Sequence, residues 1–256
     1  MRDPHVEALY YDIGTGNGIS FGDPPPLTVT NHLGTFELSN GRLTIRPAQH
    51  YASGEEARAV LEPFLRAWEL DSDLTRNIGS IRFKFSSVHK VDRNPPPSSA
   101  GALVSVSAAE LVVTGELASV HLTQQQYPTP PADFRTTPEV ELAYNRWRAF
   151  REGREPLQSM AYAVLTLVES VGGDRRKAAS TFAIAFEVLN AIGRLSSTKG
   201  DGATVRKFGA GGKVQPLTGA ESSWLEAAVR RVVRRMGEHA AGAQLTQIAM
   251  QDLPSL

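Results

Sequence analysis

Cysteine is absent from the 256 residues. That single absence removes disulfides, thiol nucleophiles and cysteine-ligated metal sites together, and it fits a reducing compartment. Net charge is absent too: 27 Lys and Arg balance 27 Asp and Glu, so no global field draws the chain to nucleic acid or to an anionic membrane. No apolar run approaches the roughly 20 residues needed to cross a bilayer. The opening residues, Met1-Arg-Asp-Pro-His-Val-Glu7, hold no apolar segment of a secretory leader. The expectation is a soluble cytoplasmic protein with no membrane partner. His5, His32, His50, His89 and His121 are scattered over β or loop segments, none paired at metal-binding spacing on a helix. No Ser/His/Asp set has local support. Neither a metal nor a cofactor is expected, and no internal repeat is visible.

What remains is an ordinary globular composition, 41% hydrophobic and 21% charged, long enough for one large domain or two small ones. Up to Arg135 there are 11 basic and 15 acidic residues, and beyond it 16 and 12. The halves therefore carry about −4 and +4, too small a bias to name a partner.

The strongest pattern runs from Thr137 to Leu195. Thr137-Pro138-Glu139 supplies a cap, a proline at the first helical position and an acid in the first turn. Gly153 and Pro156 break that helix. Leu157, Met160, Ala161, Val164, Leu165 and Val168 then recur at three and four residues as one apolar face, ended by Gly172-Gly173. A third helical pattern follows around Ala178, Phe182, Phe186, Leu189 and Ile192. A last helix opens at the capping box of Thr218 and Glu221 and runs to about His239. Beyond Ala240 the chain is small and polar and is expected to fray.

The first half reads differently. Residues 8–51 are strands and turns, with a hairpin at Thr35–Ser39, Asn40-Gly41 and Arg42–Arg46. Ser53 and Glu56 open a helix to about Asp73, with Pro63 inside it implying a kink or late start. Ile81–Phe85 alternates as a strand, and residues 103–123 alternate in two segments around Gly115. Four prolines in the twelve residues from Tyr127 to Pro138, that proline included, mark the boundary. The fold class is therefore α+β: a β-rich domain with one helix over 1–127, a proline-rich linker over 128–137, an all-helical domain over 138–240 and a flexible tail over 241–256.

Asp12-Ile-Gly-Thr-Gly16-Asn-Gly18 resembles the glycine-rich first motif of S-adenosylmethionine methyltransferases, with Asp23-Pro-Pro-Pro26 and Asn94-Pro-Pro-Pro97 as echoes of a second motif. The residues after Gly18, Ile-Ser-Phe-Gly-Asp-Pro-Pro-Pro, cannot start the helix such a turn requires, so a plain turn is expected. Gly209-Ala-Gly-Gly-Lys213 lacks the first glycine and the Ser/Thr of a phosphate-binding loop, with Lys207 and Val214 in their places. Ala178–Ile192 resembles a helix-turn-helix, with Ala183 where that motif usually has glycine. Its second helix, about Ala185 to Ile192, offers Phe186, Glu187 and Asn190 but no Arg or Lys, the donors that major-groove reading most often uses, and an ordinary helical pair that touches no DNA is the plainer reading.

The last helix carries Arg230, Arg231, Arg234 and Arg235 beside an apolar face of Leu225, Val229, Val232, Val233 and Met236. Such a cluster holds phosphates or a carboxylate-rich partner, or is simply solvated. With Lys199, Arg206, Lys207 and Lys213 of the glycine-rich break, it forms the candidate surface for a protein or RNA partner. Arg234-Arg-Met-Gly-Glu-His239 resembles the signature of the HEPN superfamily of helical nucleotide-binding and ribonuclease domains. The second half is also similar to C-terminal regions of uncharacterised bacterial proteins, in Arg154-Glu-Pro-Leu157, Met160-Ala-Tyr162, Lys199-Gly-Asp201, Pro216-Leu-Thr218 and Trp224-Leu-Glu226. The HEPN resemblance implies a metal-independent ribonuclease of a defence or toxin system, in which His239 is the general acid/base and Arg234 stabilises the phosphate. Arg235 follows Arg234 where nuclease members often carry a small polar residue. On a straight helix of about 100° per residue, Arg234 and His239 lie about 140° apart, and Gly237 offers a point at which the chain turns to bring them together. Three functions are therefore carried forward: partner binding through the basic helical face, RNA cleavage, and DNA binding through 178–192. Oligomeric state is left open.

Overall fold

The structure is a computed structural model and describes residues 2–16, 18–95, 122–199 and 216–256. The strands expected over 103–121, His121, and the basic residues Arg206, Lys207 and Lys213 lie outside the described residues. The chain is α+β and divides into two compact units, Met1–Pro130 and Pro131–Leu256.

The first unit is an antiparallel sheet covered by one helix. Its strands are β1 (Pro4–Gly14), β2 (Ile19–Phe21), β3 (Leu27–Asn31), β4 (Gly34–Ser39), β5 (Arg42–Pro47), β6 (Arg82–Asp92) and β7 (Leu122–Gln124), with α1 (Gly54–Thr75) between β5 and β6. The five-stranded sheet has the order β3-β4-β5-β1-β6, and β2 pairs with β7 in parallel. The hairpin expected at Asn40-Gly41 is there, both residues at positive φ, with Ser39 opposite Arg42. Ser53 Oγ accepts Glu56 N–H at 3.1 Å, while the Glu56 carboxylate reaches Ala52 N–H at 3.0 Å. Leu61, Leu65 and Trp68 on α1 press on Val6, Leu9, Phe36, Leu38, Leu43 and Ile45 from the sheet. Pro63 sits within the helix rather than ending it. The strand expected at Ile81–Phe85 extends to Asp92, because β6 pairs with the full length of β1.

The glycine-rich turn has a packing explanation. Gly16 N–H bonds to Gly79 O at 2.8 Å, and a Cβ on Gly16 would stand 2.9 Å from Gly79 Cα. Two backbones cross there, and no helix follows.

The second unit is helical: α2 (Pro138–Arg151), α3 (Leu157–Gly172), α4 (Arg175–Thr181), α5 (Phe186–Thr198), α6 (Gly219–Ala240) and a 3-10 turn at Met250–Asp252. The local start signals act as read: Thr137 Oγ1 accepts Val140 N–H at 3.3 Å, and Thr218 and Glu221 form a full capping box. The apolar α3 is the hub, packing against α2, α4, α5 and α6.

Two stretches expected to be tail and linker carry contacts remote in sequence. Ile248 is 2% exposed, its carbonyl accepts Ala185 N–H at 2.8 Å, and its N–H donates to Ala183 O at 2.9 Å. One buried isoleucine plus two backbone bonds anchor 241–256 to the turn between α4 and α5. The stretch 128–137 makes contacts on both sides of the division. Pro128 O accepts the Trp68 indole N–H at 2.9 Å, and Arg135 N–H bonds to Gly237 O at 3.0 Å.

Candidate nucleic-acid interface

The Asp174 side chain caps α4 by accepting Lys177 N–H at 2.9 Å, and that bond holds its carboxyl below the usual range. After seven residues the helix ends. Phe182 N–H returns to Ala178 O, and Ile184 N–H to Ala179 O, both at 2.9 Å. Ala183 takes φ +47°, the left-handed region that reverses the chain, and α5 begins at Phe186. Ala178, Phe182, Ile184, Val188, Leu189 and Ile192 are buried at this junction. The sequence pattern over 178–192 is thus two helices joined by a tight turn.

The outer side of the pair is polar. Arg176, Lys177, Ser180, Thr181, Glu187 and Arg194 are exposed, and Phe186 and Asn190 are half-buried. Arg176 stands 5.4 Å over the Phe186 ring. On α5, positions 187, 190 and 194 share one face.

The basic cluster of α6 is divided by burial. Arg235 is only 4% exposed. It donates to Phe182 O at 2.9 Å, to Ala183 O at 3.0 Å and to Glu238 at 2.8 Å. It clamps the α4–α5 turn from inside, and it also lines a cavity with Arg231 and Arg234. Arg234 pairs with Glu238 at 2.5 Å. With Arg231 it lines a cavity of about 370 Å³ beside Asp133 and Thr246. Arg230 and Arg231 have no ion-pair partner among the described residues, and Arg231 is exposed. Lys199 bonds Glu221 at 2.5 Å, tying the end of α5 to the cap of α6, so its charge is locally neutralised.

His239 is exposed but does not line the Arg234 cavity; its ring packs edge-on against Phe182 at 4.9 Å. Gly237 does not turn the chain. Helix α6 runs through it, and a Cβ there would stand 2.1 Å from the Phe134 ring, so the glycine exists to seat that phenylalanine.

In the first unit, the polar cluster that invites a functional reading is structural. Asp73 is fully buried and accepts from Gly79 N–H, Ser80 N–H and the Arg82 guanidinium. It ties the end of α1 to the start of β6. His5 and His50 meet through their Nδ1 atoms at 3.0 Å, and Arg93 lies 2.8 Å from His5 Nε2. Burial, then Arg93 and His50, lower the His5 pKa. Among the described residues no group of three or more His, Cys, Asp or Glu could hold a metal ion.

Sequence reasoning missed the Arg175 side chain, whose Nε donates to Glu169 at 2.6 Å and whose terminal nitrogen donates to Asn190 at 3.2 Å. Its signal was Gly193, a glycine in the interior of a helix, which marks close approach by another group. No family model, curated protein or solved structure matches the chain.

Proposed function

We propose that this protein binds double-stranded DNA through α4, the turn at Ala183 and α5. The observation that carries the reading is the turn: Ala183 at φ +47° between two helices that bury Ala178, Phe182, Ile184, Leu189 and Ile192 against one another and the core. That packing presents the first turns of a second helix, which is how a helix-turn-helix enters a major groove. Arg194 suits a guanine edge and Glu187 a cytosine amino group, while the Asn190 amide oxygen is held by Arg175. Arg176 and Lys177, exposed on α4, suit flanking phosphates.

The test is selection from a randomised duplex pool, followed by anisotropy titrations across salt. Arg194→Ala is expected to relax preference at one base pair by about 1–3 kcal/mol, roughly 5- to 150-fold. Arg176→Ala is expected to weaken all sequences alike and to reduce the salt slope by about one. Absence of duplex binding at low salt sinks the reading.

A second reading is favoured by the cavity in which Arg231, with no ion-pair partner among the described residues, stands beside Arg234. Two guanidiniums there suit a phosphate or a carboxylate of an RNA or protein partner. The HEPN resemblance adds cleavage to that reading. Cleavage of single-stranded RNA abolished by His239→Ala supports it, and binding without cleavage leaves only the basic face.

A further inference from the structure

The exposed face of α5 is one wall of an open cavity of about 880 Å³, closed on other sides by Tyr162 of α3, Arg175 of α4, and Met250 and Leu256 of the segment after α6. Cavities of this size hold small ligands. Three observations give it a chemistry.

The first is a positioned cation. Arg175 is fixed by Glu169 at its Nε and by Asn190 at one terminal nitrogen, and its other terminal nitrogen has no partner among the described residues. Its guanidinium lies across Gly193, where a Cβ would stand 2.8 Å and 3.0 Å from its terminal nitrogens. Glycine inside a helix is unfavourable relative to alanine, and here its absent side chain is the seat for that fork. The second is a pair of unsatisfied opposite charges. Glu187 and Arg194 both line the cavity and neither has a partner among the described residues. They are seven residues apart on one face of α5, roughly 10 Å along the helix axis. The third is the apolar part of the lining, Met250 and Leu256, of which Leu256 is 47% exposed.

We propose that this cavity binds a short zwitterion with an apolar middle, of the chemistry of an apolar tripeptide. An extended tripeptide spans about 10 Å. Its ammonium group meets Glu187, its carboxylate meets Arg194 and the free nitrogen of Arg175, and its side chains lie on Met250 and Leu256. Because Glu187 and Arg194 are also the residues proposed to face base edges, an occupied cavity excludes DNA from α5. That second statement rests on the DNA-binding reading; the site itself does not.

The test is calorimetric titration of the full chain with Ala-Leu-Ala, its N-acetylated form and its C-amidated form. Free peptide is expected to bind at least tenfold tighter than either blocked form. In Glu187→Gln the penalty for acetylation disappears, and in Arg194→Met the penalty for amidation disappears. Leu256→Glu, on an exposed side chain that cannot unfold the bundle, weakens all three peptides. Equal binding of free and blocked peptides, or no binding at millimolar peptide, overturns the proposal. A parallel anisotropy titration separates the two readings. Peptide binding without any DNA binding leaves the site standing and removes the DNA reading, whereas DNA binding without peptide binding removes the site alone.

Discussion

Arg231 and Arg235 lie one turn apart on α6 and differ entirely in consequence. Arg231 is exposed, with no ion-pair partner among the described residues. Arg235 is buried and satisfies two backbone carbonyls of the turn at Phe182 and Ala183 as well as Glu238. Removing one side of a buried, charge-assisted network strands the rest of it, typically at about 3–5 kcal/mol. Arg235→Met is therefore expected to destabilise the second unit by about that amount, and Arg231→Ala to change it by no more than about 0.5 kcal/mol. Urea unfolding followed by circular dichroism measures both, and the reverse ranking overturns this assignment. The distinction was legible in part. Leu225, Ala228, Val232 and Arg235 fall at spacings of three and four and are all buried, so the helical period places Arg235 on the inward face. What hid it was residue type: arginine in a run of arginines reads as solvated, and only the unmet carbonyls of a turn some fifty residues earlier in the chain give it a place inside.

The turn between α4 and α5 makes one element out of two, and it does so with a residue ill suited to it. Alanine at positive φ costs about 1–2 kcal/mol through its Cβ; glycine carries no such penalty but loses more freedom on folding. The steric term is the larger, so Ala183→Gly is expected to raise stability by about 1 kcal/mol, or a few degrees in Tm. Ala183→Val, which adds β-branching at the same φ, is expected to lower it. Thermal melts decide, and an unstable Ala183→Gly shows that the Cβ contributes packing that outweighs its strain. Elements whose cause is local were readable beforehand. Thr137 with Val140, and Thr218 with Glu221, each satisfy their own backbone within four residues, so the sequence displays both halves of those bonds; Asn40-Gly41 declares itself instead by two residues that tolerate positive φ. The segment after α6 was not readable, because Ile248 owes its order to Ala183 and Ala185, more than sixty positions earlier. The pairing of β2 with β7 is equally remote, joining Ile19 to Leu122. The candidate interface stands between these cases. The apolar spacing of 178–192 was visible, whereas the left-handed turn at an alanine and the Arg175 side chain seated on Gly193 follow only from three-dimensional packing.

At the scale of the molecule, each unit has its own buried core, the sheet unit around Trp68 and the helical unit around Trp147, Trp224 and Phe182. Composition and the change of period from two to 3.6 residues announce that division, and the two units part at Pro130–Pro131, within the proline-rich stretch. A proline-rich stretch reads as connection, yet Tyr127 is buried in the core of the first unit and Phe134 is buried in the second, against the space left by Gly237. The boundary at Pro130–Pro131 keeps each aromatic with its own core. This makes the boundary testable by truncation. A chain of residues 131–256 retains Phe134 and the bond from Arg135 N–H to Gly237 O, and is expected to give a helical circular-dichroism spectrum with a cooperative melt. A chain of residues 138–256, cut where the helical pattern begins, leaves an empty seat over Gly237. Loss of a buried phenylalanine side chain costs about 3–5 kcal/mol, so this shorter chain is expected to melt well below the longer one or not to fold. Equal melting of the two fragments means that Phe134 and Arg135 are accessory and that the helical core closes without them.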